Sequence, residues 1–273
     1  MNELKPDYHL VSFSGGKDST AMLLRMIEEG MHIDEILFCD TGLEFPDLYR
    51  HIEKVEKYIG RTITRIRANH DFEYYFAHHP IKRRSEKFLS LYGENLPGFG
   101  WMGPKMRWCT NRLKDAPRDA YLRRLNKSCN VIQYIGIAAD ETERLNRKNN
   151  LNPSHRHPLA DWGMTEDDCL RFCYERGFDW NGLYTMFHRV SCWCCPLQGL
   201  PELRMLRSHF PELWNRLRAW DDSTWRKYRA DYSVRELEKR FDLEDEFLSK
   251  GKSVKDRAFF DALRKKLEES ENE

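Results

Sequence analysis

Seven residues, Ser14-Gly15-Gly16-Lys17-Asp18-Ser19-Thr20, constrain this chain more than any other stretch. They follow an apolar run, Tyr8 to Phe13, and lead into a run with helical spacing, Thr20 to Glu29. Strand, glycine turn and helix in that order make a seat for an anion. The glycines let backbone N–H groups approach closely, and the helix N-terminus presents the positive end of its dipole. Lys17 adds a point charge, and Ser14, Ser19 and Thr20 add hydroxyl donors.

The loop departs from the Walker pattern, because Val11 and Asp18 stand where that motif needs Gly and a Ser or Thr. A second apolar run, Ile36 to Cys39, ends in Asp40-Thr41-Gly42, followed by Glu44, Phe45 and Pro46. Residues 8–70 read as β-α-β-α-β, with a weaker apolar run at 62–67 and a helical pattern at 45–58. That alternation predicts an α/β fold, a Rossmann-like, doubly wound, mostly parallel sheet. The carboxyl ends of its strands line one crevice, which sets Asp40 and Thr41 beside the phosphate loop. Residues 77–107 read as an irregular Gly/Pro loop, 111–126 as a helix, 131–138 as a buried strand and 144–160 as a polar loop. Thr165 and Asp168 read as the two members of a capping box.

Two further segments, Lys105-Met106-Arg107-Trp108-Cys109-Thr110 and Gly136-Ile137-Ala138-Ala139-Asp140-Glu141, complete an ordered set. With the SGGKDS loop and the DTG-x-x-FP segment, they resemble the phosphoadenosine phosphosulfate reductase family of PP-loop ATP pyrophosphatases. The resemblance implies ATP with Mg²⁺ on Ser14–Thr20, with Asp18 or Asp40 near the metal. It implies nucleotide contacts from Asp40, Thr41, Gly136 and Arg144, and α-phosphate stabilisation by Lys17, Lys105 and Arg107. It also implies adenylylation of a substrate with release of pyrophosphate. The family's reductases use a cysteine on a C-terminal tail, and this chain has none after Cys195. Their Arg in the G-I-R segment is replaced by Ala138. Sulfonucleotide reduction therefore needs an external thiol or Cys194, and sulfur transfer to an adenylylated acceptor is the leading expectation.

The eight cysteines cluster in part. Cys192 and Cys195 form a C-x-x-C before Pro196, with Cys194 between them. That spacing alone suits zinc, an iron–sulfur cluster or a redox pair. Cys109 occupies a position that resembles a cluster-ligand position in the family's iron–sulfur branch. The resemblance thus implies a [4Fe–4S] cluster on Cys109, Cys192 and Cys195, with Cys194 as fourth ligand or reacting thiol, and structural zinc as the alternative. Cys39, Cys129, Cys169 and Cys173 read as core residues.

Net charge is +1, unevenly spread. Residues 61–126 hold 14 Lys and Arg against 6 Asp and Glu, a net +8 that includes Lys82-Arg83-Arg84. Such a segment suits a polyanion, and a nucleic-acid acceptor is one expectation beside a small metabolite. His155 and His157 are acid–base candidates. No apolar run reaches membrane-spanning length, and the N-terminus lacks a signal-type apolar core, so the expected location is the cytoplasm. The organisation expected is a PP-loop domain over 1–200 and a charged helical C-terminal extension over 201–273, in a monomer or homo-oligomer. A non-catalytic nucleotide-binding protein with structural zinc is the non-enzyme alternative. One geometric expectation underlies all of this, namely that the anion seat and the thiols open onto a common cavity.

Overall fold

A computed structural model describes residues 5–82, 85–93 and 96–269. Arg83 and Arg84 of the basic run lie outside the described residues, as do residues 270–273 of the acidic end. In chain order the elements are β1 (Asp7–Phe13), α1 (Lys17–Glu28), β2 (Glu35–Cys39), α2 (Pro46–Ile59), β3 (Thr64–Ile66), α3 (Glu86–Tyr92), α4 (Ala116–Leu125), β4 (Asn130–Ile135), α5 (Thr142–Leu145), β5 (His155–Arg156), α6 (Pro158–Asp161), α7 (Glu166–Glu175), α8 (Leu183–Met186), α9 (Leu200–His209), α10 (Pro211–Asp222), α11 (Val234–Ser249) and α12 (Arg257–Glu268). None of the described helices is long and apolar enough to cross a membrane.

The chain divides into two compact units, residues 1–72 with 108–193, and residues 73–107 with 194–273. The first holds a five-stranded parallel sheet in the order β3-β2-β1-β4-β5. The expected α/β doubly wound sheet is borne out. The chain runs outward from β1 to β3, then returns to place β4 on the other side of β1. The topological switch therefore lies between β1 and β4, where ligands bind in open α/β sheets. β1 is central because it can be buried on both faces: Leu10, Val11 and Phe13 are all buried. Leu10 and Leu37 pack with Val131 against Tyr121, Leu122 and Leu125 of the α4 region. Burial of such side chains is what chiefly stabilises the sheet, at about 25 cal/mol per Å² of apolar surface.

Three local expectations are corrected. The expected helix over 111–126 begins as a π-helix, Thr110–Asp115, and becomes α-helical only at Ala116. Pro117 has no N–H to give Leu113, so the preceding turn widens and the Ala116 N–H reaches back to Asn111. The expected irregular segment 77–107 contains α3, capped by Ser85, whose side chain accepts the Phe88 N–H. The expected loop 144–160 holds α6 and the short strand β5, which pairs with β4. By contrast, the Thr165–Asp168 capping box forms as read.

The second unit is helical, from α3 and α9 through α12. Its centre is Trp101, packed on Phe76 and Tyr228 at 4.8 Å between ring centroids. Trp101 Nε1 donates to Asp221 Oδ1 at 2.9 Å, and the Val234 N–H donates to Asp221 Oδ2 at 2.6 Å. Burial raises the Asp221 pKa, and these donors oppose that shift. Asp221→Ala is expected to strand both donors and to cost about 3 kcal/mol in urea unfolding. Asp222→Ala, which removes only an exposed ion pair with Arg235, is expected to cost less than about 1 kcal/mol.

Candidate functional site

The loop after β1 turns at Gly15, whose φ of +76° is left-handed and which packs under Leu48 and Ile52 of α2. Ser19 ties the turn together: its Oγ accepts the Ser14 N–H at 3.1 Å, meets Ser14 Oγ at 2.9 Å and donates to the Gly16 carbonyl at 3.0 Å. Gly136, just past β4, lies hard against the start of α1. A Cβ there would stand 3.0 Å from both Cα and N of Ser19. Gly136 thus lets β4 and the loop of β1 close the switch-point crevice. Behind the loop, Trp180 Nε1 donates to the Gly15 carbonyl at 2.7 Å, and Thr20 Oγ1 meets His51 Nε2 at 3.0 Å.

Lys17 is buried, and both of its donor groups are engaged. Its Nζ lies 2.6 Å from Glu166 Oε1 and 3.2 Å from Asp18 Oδ1. Its backbone N–H donates to Tyr184 Oη at 2.7 Å. Burial works against the ammonium charge, but Glu166 and Asp18 outweigh it and raise the Lys17 pKa. The hydrogen bond from Lys17 draws the Glu166 carboxyl below its usual range. Asp18 is pushed up by burial, against the pull of Lys17. Its Oδ1 is buried without a hydrogen-bond partner, although it stands within ion-pair distance of Lys17.

At the end of β2, Asp40 is buried and saturated. Oδ1 accepts from the Gly42 N–H and Tyr49 Oη, and Oδ2 accepts both Nε and Nη2 of Arg67. Thr41 Oγ1 donates to Glu44 Oε1 at 2.8 Å and lies 3.7 Å from Cys192 Sγ. The Trp193 N–H donates to the Leu43 carbonyl at 3.0 Å, which anchors Cys192 beside this loop. Lys114 sits 3.9 Å from Glu44. Cys192 acts most strongly in raising the Lys114 pKa, with Glu44, Cys39 and Cys109 adding to it.

The cysteine set is right in kind for zinc or an iron–sulfur cluster, and it is divided between the two units. Cys109 and Cys192 belong to the first unit, Cys194 and Cys195 to the second. Among the described residues, no three His, Cys, Asp or Glu side chains stand close enough together to hold a metal ion. None of the eight cysteines forms a disulfide. Cys109, Cys192 and Cys195 are partly exposed, whereas Cys194 is fully buried.

The other expected residues scatter. Lys105 and Arg107 are exposed on the second unit. Arg144 reaches both oxygens of Glu141 at 3.0 Å, and Asp140 Oδ1 accepts the Glu166 N–H at 3.1 Å, which ties the segment after β4 to the start of α7. His157 places its ring nitrogens near the carbonyls of Ile135 and Asn150, and His155 lies beside Gln133. These contacts hold the 144–160 segment to β4.

Comparison with known proteins agrees with the motifs. Residues 8–92 match the model of the phosphoadenosine phosphosulfate reductase domain, so the resemblance read from the motifs is borne out. An uncharacterized protein of Methanocaldococcus jannaschii, MJ0066, is 25% identical over 243 residues, covering 83% of this chain and 43% of the relative. A second from that archaeon, MJ0973, is 27% identical over 210 residues, covering 75% of this chain and 45% of the relative. The chain spans less than half the length of these two curated relatives. An uncharacterized nin region protein of Escherichia phage lambda, ORF290, is 28% identical over 196 residues, covering 68% of this chain and 65% of the relative. Among solved structures, the U34-tRNA thiolase NcsA from Methanococcus maripaludis with its [4Fe–4S] cluster aligns with a TM-score of 0.37 at 16% identity, covering 86% of this chain and 72% of that one.

Five residues at the site carry no motif in the sequence: His51, Lys114, Glu166, Trp180 and Tyr184. Glu166 had one local signal, its place in the acidic first turn after Thr165. Lys114 lies in the π-helix Thr110–Asp115, which no motif announces. His51 stacks on Trp180 with ring centroids 4.2 Å apart, and burial lowers its pKa to about 3. The folded protein keeps this ring neutral while the unfolded chain protonates it near 6.5, so acid favours unfolding. From this ring alone, stability is expected to fall by about 1.4 kcal/mol per pH unit below 6.5. Between pH 6.5 and pH 5, urea unfolding of the wild type should lose about 2 kcal/mol more than that of His51→Gln.

Proposed function

We propose, for a chain whose residues 8–92 match the phosphoadenosine phosphosulfate reductase domain, an ATP-dependent enzyme that adenylylates an acceptor and supports sulfur transfer to it. The observation that carries this reading is the buried Lys17, set in a glycine turn at the switch point of a parallel sheet, one strand away from the β2 end where Thr41 faces Cys192. ATP, entering with its own Mg²⁺, lays its phosphates on Ser14–Thr20. An acceptor oxygen attacks the α-phosphorus, the bond to the bridging oxygen breaks, and pyrophosphate leaves. Loop N–H groups and Lys17 stabilise the charge that gathers on the phosphates, and such electrostatic stabilisation lowers the barrier more than any other effect in transfers of this kind. A sulfur nucleophile then attacks the activated centre, and AMP departs with the acceptor oxygen.

Cys192 is the thiol proposed to handle that sulfur, being partly exposed and 3.7 Å from Thr41 Oγ1 at the end of β2. Asp40 serves by positioning rather than as a metal ligand, since Arg67, Tyr49 and Gly42 use its oxygens. The acceptor class is proposed from charge: the +8 segment suits a nucleic acid, and salt-sensitive binding is its signature. A resident iron–sulfur cluster, or zinc, is proposed from the donor set alone, and iron, sulfide and zinc counting on anaerobically purified protein decides it.

A second reading, reduction of a sulfonucleotide by an external thiol, is favoured by the domain match. The two separate cleanly. With ATP and pools of tRNA, DNA or small metabolites as acceptors, pyrophosphate release is expected, and Lys17→Ala is expected to lower its rate at least about a hundredfold. Sulfite formed from phosphoadenosine phosphosulfate, with no turnover of ATP, would refute the transfer reading.

A further inference from the structure

Both donors of Lys17 end on side chains far along the chain, Glu166 and Tyr184. Neither partner is needed where it stands for local reasons. The start of α7 is capped by Thr165, which accepts the Asp168 N–H, while Asp168 bonds back to the Thr165 N–H. The carboxylate of Glu166 is left over from that box, and its shortest contact is with Lys17.

Tyr184 is delivered by a costly turn. Trp180, Asn181 and Gly182 are left-handed in succession, with φ of 50°, 53° and 80°. For Trp and Asn that conformation costs of the order of 1 kcal/mol or more each, and it persists only where other contacts impose it. The contacts are Trp180 Nε1 on the Gly15 carbonyl and Asn181 Nδ2 on Asp47 Oδ1 at 2.8 Å. The strained turn is thus anchored on the phosphate loop and presents the Tyr184 hydroxyl to the first amide of α1.

A carboxylate oxygen on the ammonium and a hydroxyl oxygen on the helix-start N–H are what a phosphate would offer to the same two donors. We infer that Glu166 and Tyr184 are internal stand-ins for phosphate oxygens, so that a nucleotide binds by displacing them from Lys17 and Glu166 sets its affinity by competition. This rests on the reading of Ser14–Thr20 as a nucleotide seat. Charge gives the direction of the effect. Glu166 holds the Lys17 ammonium at 2.6 Å, so an incoming phosphate must compete with that carboxylate for the same donor.

Calorimetric titration with inorganic pyrophosphate and with magnesium ATP tests the inference without any turnover. Glu166→Gln is expected to tighten pyrophosphate binding about tenfold, the size of one charge-assisted hydrogen bond removed from the competing state. Tyr184→Phe is expected to tighten it by a smaller factor. Lys17→Ala should weaken binding, and in that background the gain from Glu166→Gln should vanish, because the effect acts through the lysine. Thermal melting confirms that each variant is folded, and Glu166→Ala replaces Glu166→Gln if the latter is not. Unchanged or weaker binding by folded Glu166→Gln, with Lys17→Ala still impaired, would overturn the inference and leave the seat standing. Wild-type affinity in Lys17→Ala would remove the seat itself, and the inference with it.

Discussion

A lysine ammonium with only 9% of its side chain exposed needs anionic oxygen close by, since an unpaired buried charge costs several kcal/mol. In this protein Glu166 and Asp18 supply that oxygen. The need explains why the first turn of α7 comes to the first turn of α1, and why Gly136 must be bare to let β4 close against Ser19. It also explains the left-handed turn at Trp180 and Asn181, which brings a hydroxyl to the same residue. The site is less a pocket with a lysine in it than a lysine around which four chain segments have been fitted.

The same logic, with sulfur in place of oxygen, organises the neighbouring strand end. Lys114 stands 3.9 Å from Glu44, in the π-helix that precedes Pro117, and the charges of Cys192, Cys39 and Cys109 act on it. Thr41 links the two groups, because its hydroxyl bonds Glu44 and faces Cys192. The Lys17 cation after β1 and the Thr41–Cys192 contact after β2 are then neighbours by sheet order alone. In the proposed function, that adjacency couples activation of an acceptor to delivery of sulfur.

Much of this was legible in the sequence. The glycine loop, the Asp40-Thr41-Gly42 block and the apolar runs of β1 and β2 determine a parallel sheet with its ligand edge at the strand ends, and all of these are local signals. Gly136 is an expected nucleotide contact by its motif, and its packing against Ser19 is visible only in the fold. Asp40 resembles a metal ligand in the sequence because its consumers, Arg67 and Tyr49, come from other elements. Glu166, Trp180 and Tyr184 were not legible, because their roles arise from contacts about 150 residues or more away along the chain. The helix α3 was hidden by flanking Gly and Pro residues that resemble a loop. In each case the missing information is long-range pairing, which periodicity and turn chemistry do not carry.

Nitrogen-15 resonance shifts of the backbone amides of Ser14–Thr20 and of the Lys17 ammonium, followed as magnesium ATP is added, test the central claim most directly. If Lys17 is the seat of the phosphates, its amide and ammonium signals move saturably, and the Trp180 indole signal responds through Gly15. Saturable binding that shifts resonances elsewhere and leaves Lys17 and its loop still would contradict it.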